Sequence, residues 1–173
     1  MAAEIGFSDG DAYERSMGVW SRRAGEQFLR FLGAPAGLRW LDVGCGNGAF
    51  TELILRHCDP EEVVAVDPSE GQLAFARSRL DPRRSRLTLG RAEALPCPDR
   101  SADVVTMALV LFFVPDPARA VAEARRVVRP GGRVAAYSWD MLHGGFAFDA
   151  IQSVLRDMGM SPPLPPGVNA SQM

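Results

Sequence analysis

One stretch constrains this chain more than any other: Trp40-Leu41-Asp42-Val43-Gly44-Cys45-Gly46-Asn47-Gly48-Ala49-Phe50. Leu41 and Val43 fit the tail of a buried parallel strand, which carries apolar groups toward both faces. Gly44, Gly46 and Gly48 follow at alternate positions, where the backbone can turn sharply, take positive φ and approach a ligand closely. From about Asn47 the apolar residues Phe50, Leu53 and Ile54 recur at helical spacing. Strand, glycine loop and helix start together make a ligand-binding turn, with free N–H groups and a partial positive charge at the helix end.

The rest of the chain repeats that alternation. Tyr13, Met17, Trp20, Ala24, Phe28 and Phe31 predict one or two helices before the first strand, with Trp20 and Phe28 as packing residues. Strand one spans about 39–43 and its helix runs to His57. Val63 to Val66 form a second strand that ends in Asp67. Ser69 with Gln72 three residues on resembles a capping box, opening a helix with Leu73, Ala76 and Leu80 inside. A third strand covers 86–89, and a loop runs from Gly90 to Arg100. Strand four, 102–107, runs on into the apolar Ala108 to Val114. Asp116-Pro117 starts a helix, Pro130-Gly131-Gly132 stops it, and 133–139 is strand five. Phe148, Ile151, Leu155 and Met158 mark one more amphipathic helix, and 161–173 is Pro-rich and irregular. The expected organisation is a helical segment 1–37, a core 38–160 and the tail 161–173.

Strands alternating with helices imply right-handed βαβ units: an α/β fold with a Rossmann-like, doubly wound sheet of five parallel strands. Ligands in such sheets bind beyond the carboxyl ends of the strands, where strand order reverses. Asp67 ends strand two, nineteen residues after Gly48. An acid there can accept both hydroxyls of a ribose, so the crevice suits a nucleoside. The bland alternative is an acid capping the next helix, although Ser69 is already available as the cap. A nicotinamide dinucleotide favours G-x-G-x-x-G, whereas this loop reads G-x-G-x-G.

Composition narrows the chemistry. All 19 basic residues are arginine, which excludes a Walker-type phosphate lysine, a Schiff-base lysine and a lysine base from this chain. A net charge of −2 gives no reason to expect a nucleic acid or an anionic membrane as partner. Cys45, Cys58 and Cys97 form no metal-ligand or disulfide pattern and fit a reducing cytoplasm. There is no basic-then-apolar leader pattern at the N-terminus.

Four segments carry a resemblance. Leu41 to Gly48, Val64-Ala65-Val66-Asp67-Pro68-Ser69, Gly90-Arg91-Ala92-Glu93-Ala94-Leu95-Pro96 and Arg129-Pro130-Gly131-Gly132-Arg133 occur in the order found in class I S-adenosylmethionine-dependent methyltransferases. The chain resembles the small-molecule enzymes grouped with the ubiquinone and menaquinone C-methyltransferases, from about Tyr13 to Asp140. That resemblance implies methyl transfer from S-adenosyl-L-methionine to a small-molecule acceptor. Gly44, Gly46 and Gly48 would pass under the methionine part, with Asp42 orienting the loop. Asp67 would hold the ribose diol, Pro68 or Ser69 would lie against the adenine, and Ala92 and Glu93 would meet its edge. Met107 and Ala108 would lie beside the transferring methyl group. Tyr13 and Arg22 belong to a segment that folds over the cofactor in similar enzymes, and a solvated face explains them equally well. His143 is the candidate general base, against a plain loop histidine.

A full class I sheet has seven strands, and nothing after Asp140 has strand character. Strand five would therefore be an exposed edge. A truncated chain, a homodimer covering the edge and a short form with impaired activity each account for it. A cofactor-binding or regulatory module without turnover is the second functional class, and a nicotinamide-dependent oxidoreductase the third.

Overall fold

The computed structural model describes residues 19–140 and 149–160. Tyr13, His143, Phe148 and the tail 161–173 lie outside them, with the expectations attached to those positions.

The elements alternate as the apolar pattern requires. Helix α1 (Val19–Leu32) precedes β1 (Arg39–Val43), α2 (Ala49–His57), β2 (Glu62–Asp67), α3 (Glu70–Arg79) and β3 (Ser85–Leu89). Then come β4 (Ala102–Ala108), a 3₁₀ turn (Leu111–Phe113), α4 (Pro117–Val127), β5 (Val128–Tyr137) and α5 (Asp149–Asp157). The five strands form one sheet in the order β3-β2-β1-β4-β5, and every neighbouring pair is parallel. Strand order reverses between β1 and β4, so their carboxyl ends bound the crevice that such sheets use for ligands.

Period-two alternation splits the core into two layers. Leu41, Val43, Val66, Val105 and Met107 pack with Ala120, Ala124 and Val127 of α4. Trp40, Val63 and Val104 face the other way, against Phe28, Leu29 and Leu32 of α1 and Phe50, Leu53 and Ile54 of α2. Ala65 continues that second layer toward Leu73 of α3. Helix starts follow local chemistry. The Ser69 hydroxyl accepts the Gln72 N–H at the start of α3. Asp116 accepts the Arg119 N–H at the start of α4, with Pro117 in its first turn.

Three expectations need correction. Pro130-Gly131-Gly132 does not separate α4 from the last strand; β5 already begins at Val128 and ends at Tyr137, and its register against β4 shifts between Ala102 and Val104. Gly131 takes φ +77°, and a Cβ on Gly132 would lie 2.6 Å from the Asp103 carbonyl oxygen, so the glycines let the chain bulge while staying in the sheet. Strand four does not run on through 108–114, because Leu109 adopts φ +59° and turns the chain into the 3₁₀ segment. Trp20 is 53% exposed rather than packed. In α5, Ile151, Val154 and Met158 are also exposed. Among the described residues no helix is long and apolar enough to cross a membrane.

Candidate active site

A cavity of about 690 Å³ opens at the carboxyl ends of the strands, within the range of small-ligand and cofactor sites. One side is built from the loops after β1, β2 and β3. The Gly44 and Cys45 N–H groups both donate to the Val66 carbonyl, at 2.7 and 3.1 Å, which folds the glycine loop over the end of β2. Gly44 has φ +71°, and a Cβ there would lie 2.5 Å from Val110 Cγ2, so only glycine fits. Gly46 also takes positive φ, at +53°.

Asp67 joins the loops. Its Oδ2 accepts the Gly46 N–H at 2.9 Å and its Oδ1 accepts the Ser69 N–H at 2.8 Å. Burial raises its pKa, and the two backbone N–H bonds oppose that rise. Each carboxylate oxygen keeps acceptor capacity for a ligand hydroxyl. The residue thus staples the loops and faces the cavity at once. The N-terminal ends of α2 and α3 reach the same side through Ala49 and Ser69, adding donors and partial positive charge.

Past Gly90, whose N–H donates to the Asp67 carbonyl at 3.1 Å, the chain makes a tight turn. The Ala94 N–H donates to the Arg91 carbonyl at 3.1 Å, so Ala92 and Glu93 form the turn's tip and both line the cavity.

The opposite side is apolar. Leu109, Val110, Phe112 and Phe113 come from the end of β4 and the 3₁₀ turn, and Phe50, Leu53 and Tyr137 close it. The Tyr137 ring lies 4.7 Å from that of Phe28 and 6.0 Å from that of Phe50. Tyr137 also accepts the Leu109 N–H through its carbonyl, at 2.9 Å. A positive φ at a bulky residue such as Leu109 is strained, and here it turns Val110 onto Gly44.

The structure therefore brings together Arg22, Gly44, Gly46, Asp67, Pro68, Ser69, Ala92, Glu93 and Ala108 around one cavity. Three other candidates lie behind its wall. Asp42 is buried under α2, where its carboxyl accepts the Thr51 hydroxyl at 2.6 Å and the Thr106 hydroxyl at 3.5 Å. It holds helix and strands rather than the glycine loop. Burial pushes its pKa up to about 7, against the two hydroxyl bonds that lower it. Gly48, at φ +79°, lies where a Cβ would meet Ala76 of α3 at 3.1 Å and Leu80, just past that helix, at 3.0 Å. Met107 points into the α4 layer, 1% exposed, because strand alternation turns position 107 away from the site and leaves Ala108 beside it. Cys45 lines the cavity, but burial and then the nearby Asp42 and Asp67 raise its thiol pKa, so it stays protonated.

Sequence reasoning passed over Tyr137 and Gln72. Both carried a positional signal: Tyr137 is the last residue of a strand at the crevice end of the sheet, and Gln72 lies in the first turn of α3.

A doubly wound parallel sheet, a glycine loop after β1 and an acid after β2 define a nucleoside-binding protein of Rossmann-like architecture. The chain belongs to the class I S-adenosylmethionine-dependent methyltransferases: the family model described as a methyltransferase domain matches residues 41–136. It is similar to the malonyl-[acyl-carrier protein] O-methyltransferase of Methylococcus capsulatus, 38% identical over 78% of this chain and 47% of the relative. It is 42% identical to the ubiquinone/menaquinone biosynthesis C-methyltransferase of Methylobacterium nodulans over 55% of this chain and 39% of that one. These matches span about half the length of the first relative and less of the second. An S-adenosylmethionine-dependent methyltransferase from Mesorhizobium loti superposes with a TM-score of 0.58 at 28% identity, covering 76% of this chain and 56% of that one.

Proposed function

We propose that this domain binds S-adenosyl-L-methionine and transfers its methyl group to a small apolar or aromatic acceptor, with S-adenosylhomocysteine as product. The observation that carries the reading is Asp67: a carboxylate at the end of β2, fixed by two backbone N–H groups and facing the cavity.

The residues present fit this cofactor. Gly44 leaves a cradle that a Cβ would fill. Asp67 offers acceptors for a ribose diol, the loop N–H groups and helix ends suit an amino-acid carboxylate, and the Ala92–Glu93 tip suits a nucleobase edge. Pro68 or Ser69 would lie against the base, and Arg22 of α1 would close over the ligand. Tyr13 would belong to the same cover. When bound, the cofactor supplies an electrophilic sulfonium methyl, so alignment and exclusion of water can supply most of the acceleration. The apolar side performs both tasks: Leu109, Val110, Phe112 and Phe113 orient a flat or greasy acceptor and keep the meeting point dry. A base matters where the acceptor must lose a proton during attack; His143 is the candidate for that step.

A binding or regulatory module without turnover is the second reading, favoured by the exposed outer strand β5, where Val134 is 39% exposed. Calorimetry with S-adenosylmethionine and S-adenosylhomocysteine tests the donor. Both should bind, and Asp67→Ala should weaken each at least about tenfold, a loss expected when a charged acceptor is removed from two hydroxyls. Binding of NAD in place of either would overturn the reading. Turnover against malonyl-acyl-carrier protein and ubiquinone/menaquinone precursors, the compounds named for the two curated relatives, then separates an enzyme from a binding module.

A further inference from the structure

Helix α4 touches the cofactor side of the cavity only through other residues, yet it holds the Ala92–Glu93 turn from behind. Arg119, Glu123 and Arg126 are spaced four and three apart, so they share one face of the helix. All three reach the loop after β3. Arg119 Nε donates to the Glu93 carbonyl at 2.9 Å. Glu123 Oε2 accepts the Leu95 N–H at 2.9 Å. Arg126 donates to the Leu95 carbonyl at 3.0 Å, the Cys97 carbonyl at 2.9 Å and Asp99 Oδ1 at 2.7 Å. A paired contact with Glu123, 2.8 Å at each oxygen, locks the two side chains together. These contacts fix the peptide groups on the C-terminal side of the turn tip, while the Ala92 and Glu93 N–H groups donate to no backbone carbonyl among the described residues.

We propose that Arg119, Glu123 and Arg126 are positioning residues for nucleobase recognition: they hold the Ala92–Glu93 tip at the orientation that reads the base edge, and so set discrimination between adenine and other purines. The proposal rests on the nucleoside reading of the cavity given above. Its physical basis is pre-organisation. A turn free to rotate by a few tens of degrees would still contact a base, but its N–H groups would no longer be aimed at one acceptor pattern. The guanidinium of Arg126 holds three loop acceptors and a carboxylate together in one planar fork, a pattern a lysine cannot reproduce.

The test is calorimetry with S-adenosylhomocysteine and its hypoxanthine counterpart S-inosylhomocysteine, with thermal unfolding of every variant. The natural chain should prefer adenine. Arg126→Ala should narrow that preference at least threefold, and Glu123→Ala should do the same. Glu123→Gln, which retains an acceptor for the Leu95 N–H, should stay nearer the natural ratio. Arg119 is exposed and Arg119→Ala leaves the core intact, so it keeps the test valid should the Arg126 variant unfold. A folded Arg119→Ala or Arg126→Ala protein with an unaltered base preference overturns the proposal, as does a natural chain without any preference. Failure of the natural chain to bind either nucleoside instead removes the donor reading, and this proposal with it.

Discussion

Asp42 is a carboxyl surrounded by sheet and helix, with two threonine hydroxyls as its hydrogen-bond partners. Burial lifts its pKa from 3.8 to about 7 in the folded chain. Between those values the folded state holds a proton that the unfolded state has released, so this group's contribution to stability falls as pH rises from about 4 to 7. Asp42→Asn keeps the shape and removes the titration, and a hydroxyl can reverse its donor role to match the new amide. The expected outcome is a higher unfolding midpoint than the natural chain at pH 8, by several degrees, with the two converging near pH 4. Parallel melting curves across that range check it; a constant difference would mean that Asp42 does not titrate there. The same residue shows what sequence could and could not reveal. Its place at the end of β1 was legible, but the role assigned to it was not, because the partners that hold it, Thr51 and Thr106, are nine and 64 positions away and carry no pattern of their own.

At the scale of elements, Asp103 gathers three strands at the end of the sheet opposite the cavity. It accepts the Arg39 backbone N–H at 2.7 Å, the Arg39 guanidinium at 3.3 Å and the Arg129 guanidinium, linking β1, β4 and β5. Burial alone would raise its pKa, but the bonds from Arg129 and Arg39 outweigh that and hold it at about 2. A depressed carboxylate stabilises the fold above its ordinary pKa and loses that contribution as pH falls from about 4 to 2. Asp103→Ala should cost on the order of 2 kcal/mol near neutrality, the value of hydrogen bonds to a charged group. Urea titrations at pH 7 and pH 2.5 check it, since the deficit should shrink at the lower pH. The elements themselves were largely legible: the strand and helix alternation, the Ser69 and Asp116 caps and the parallel sheet all follow from local pattern. Strand five was misjudged at its start. Pro130-Gly131-Gly132 is a stop signal by local rules, and what overrides it is a long-range contact, the close approach of Gly132 to the Asp103 carbonyl. Met107 shows the complementary limit. Period-two alternation was available in the sequence, but which face of β4 meets α4 is settled only by packing.

For the molecule as a whole, β3 and β5 are the two outer strands of the sheet, and β5 presents Val134 to solvent. Unpaired strand edges template association. Val134→Lys is therefore expected to lower concentration-dependent self-association in sedimentation velocity, with ligand affinity unchanged because residue 134 lies away from the cavity; equal association in both proteins would show that this edge is not used. The cavity divides by construction. Its polar side is braced at several points, from the Asp67 staple to the face of α4, and a change to any of these groups disturbs loops that fix one another. Much of its apolar side is a short stretch of chain, Leu109 to Pro115, between a strand end and a helix cap. Substitutions at Phe112 and Phe113 alter its shape and leave the bracing alone. On the proposed reading, a lineage built on this plan can therefore trade one acceptor for another through a handful of mutations, while inheriting its methyl donor almost without choice.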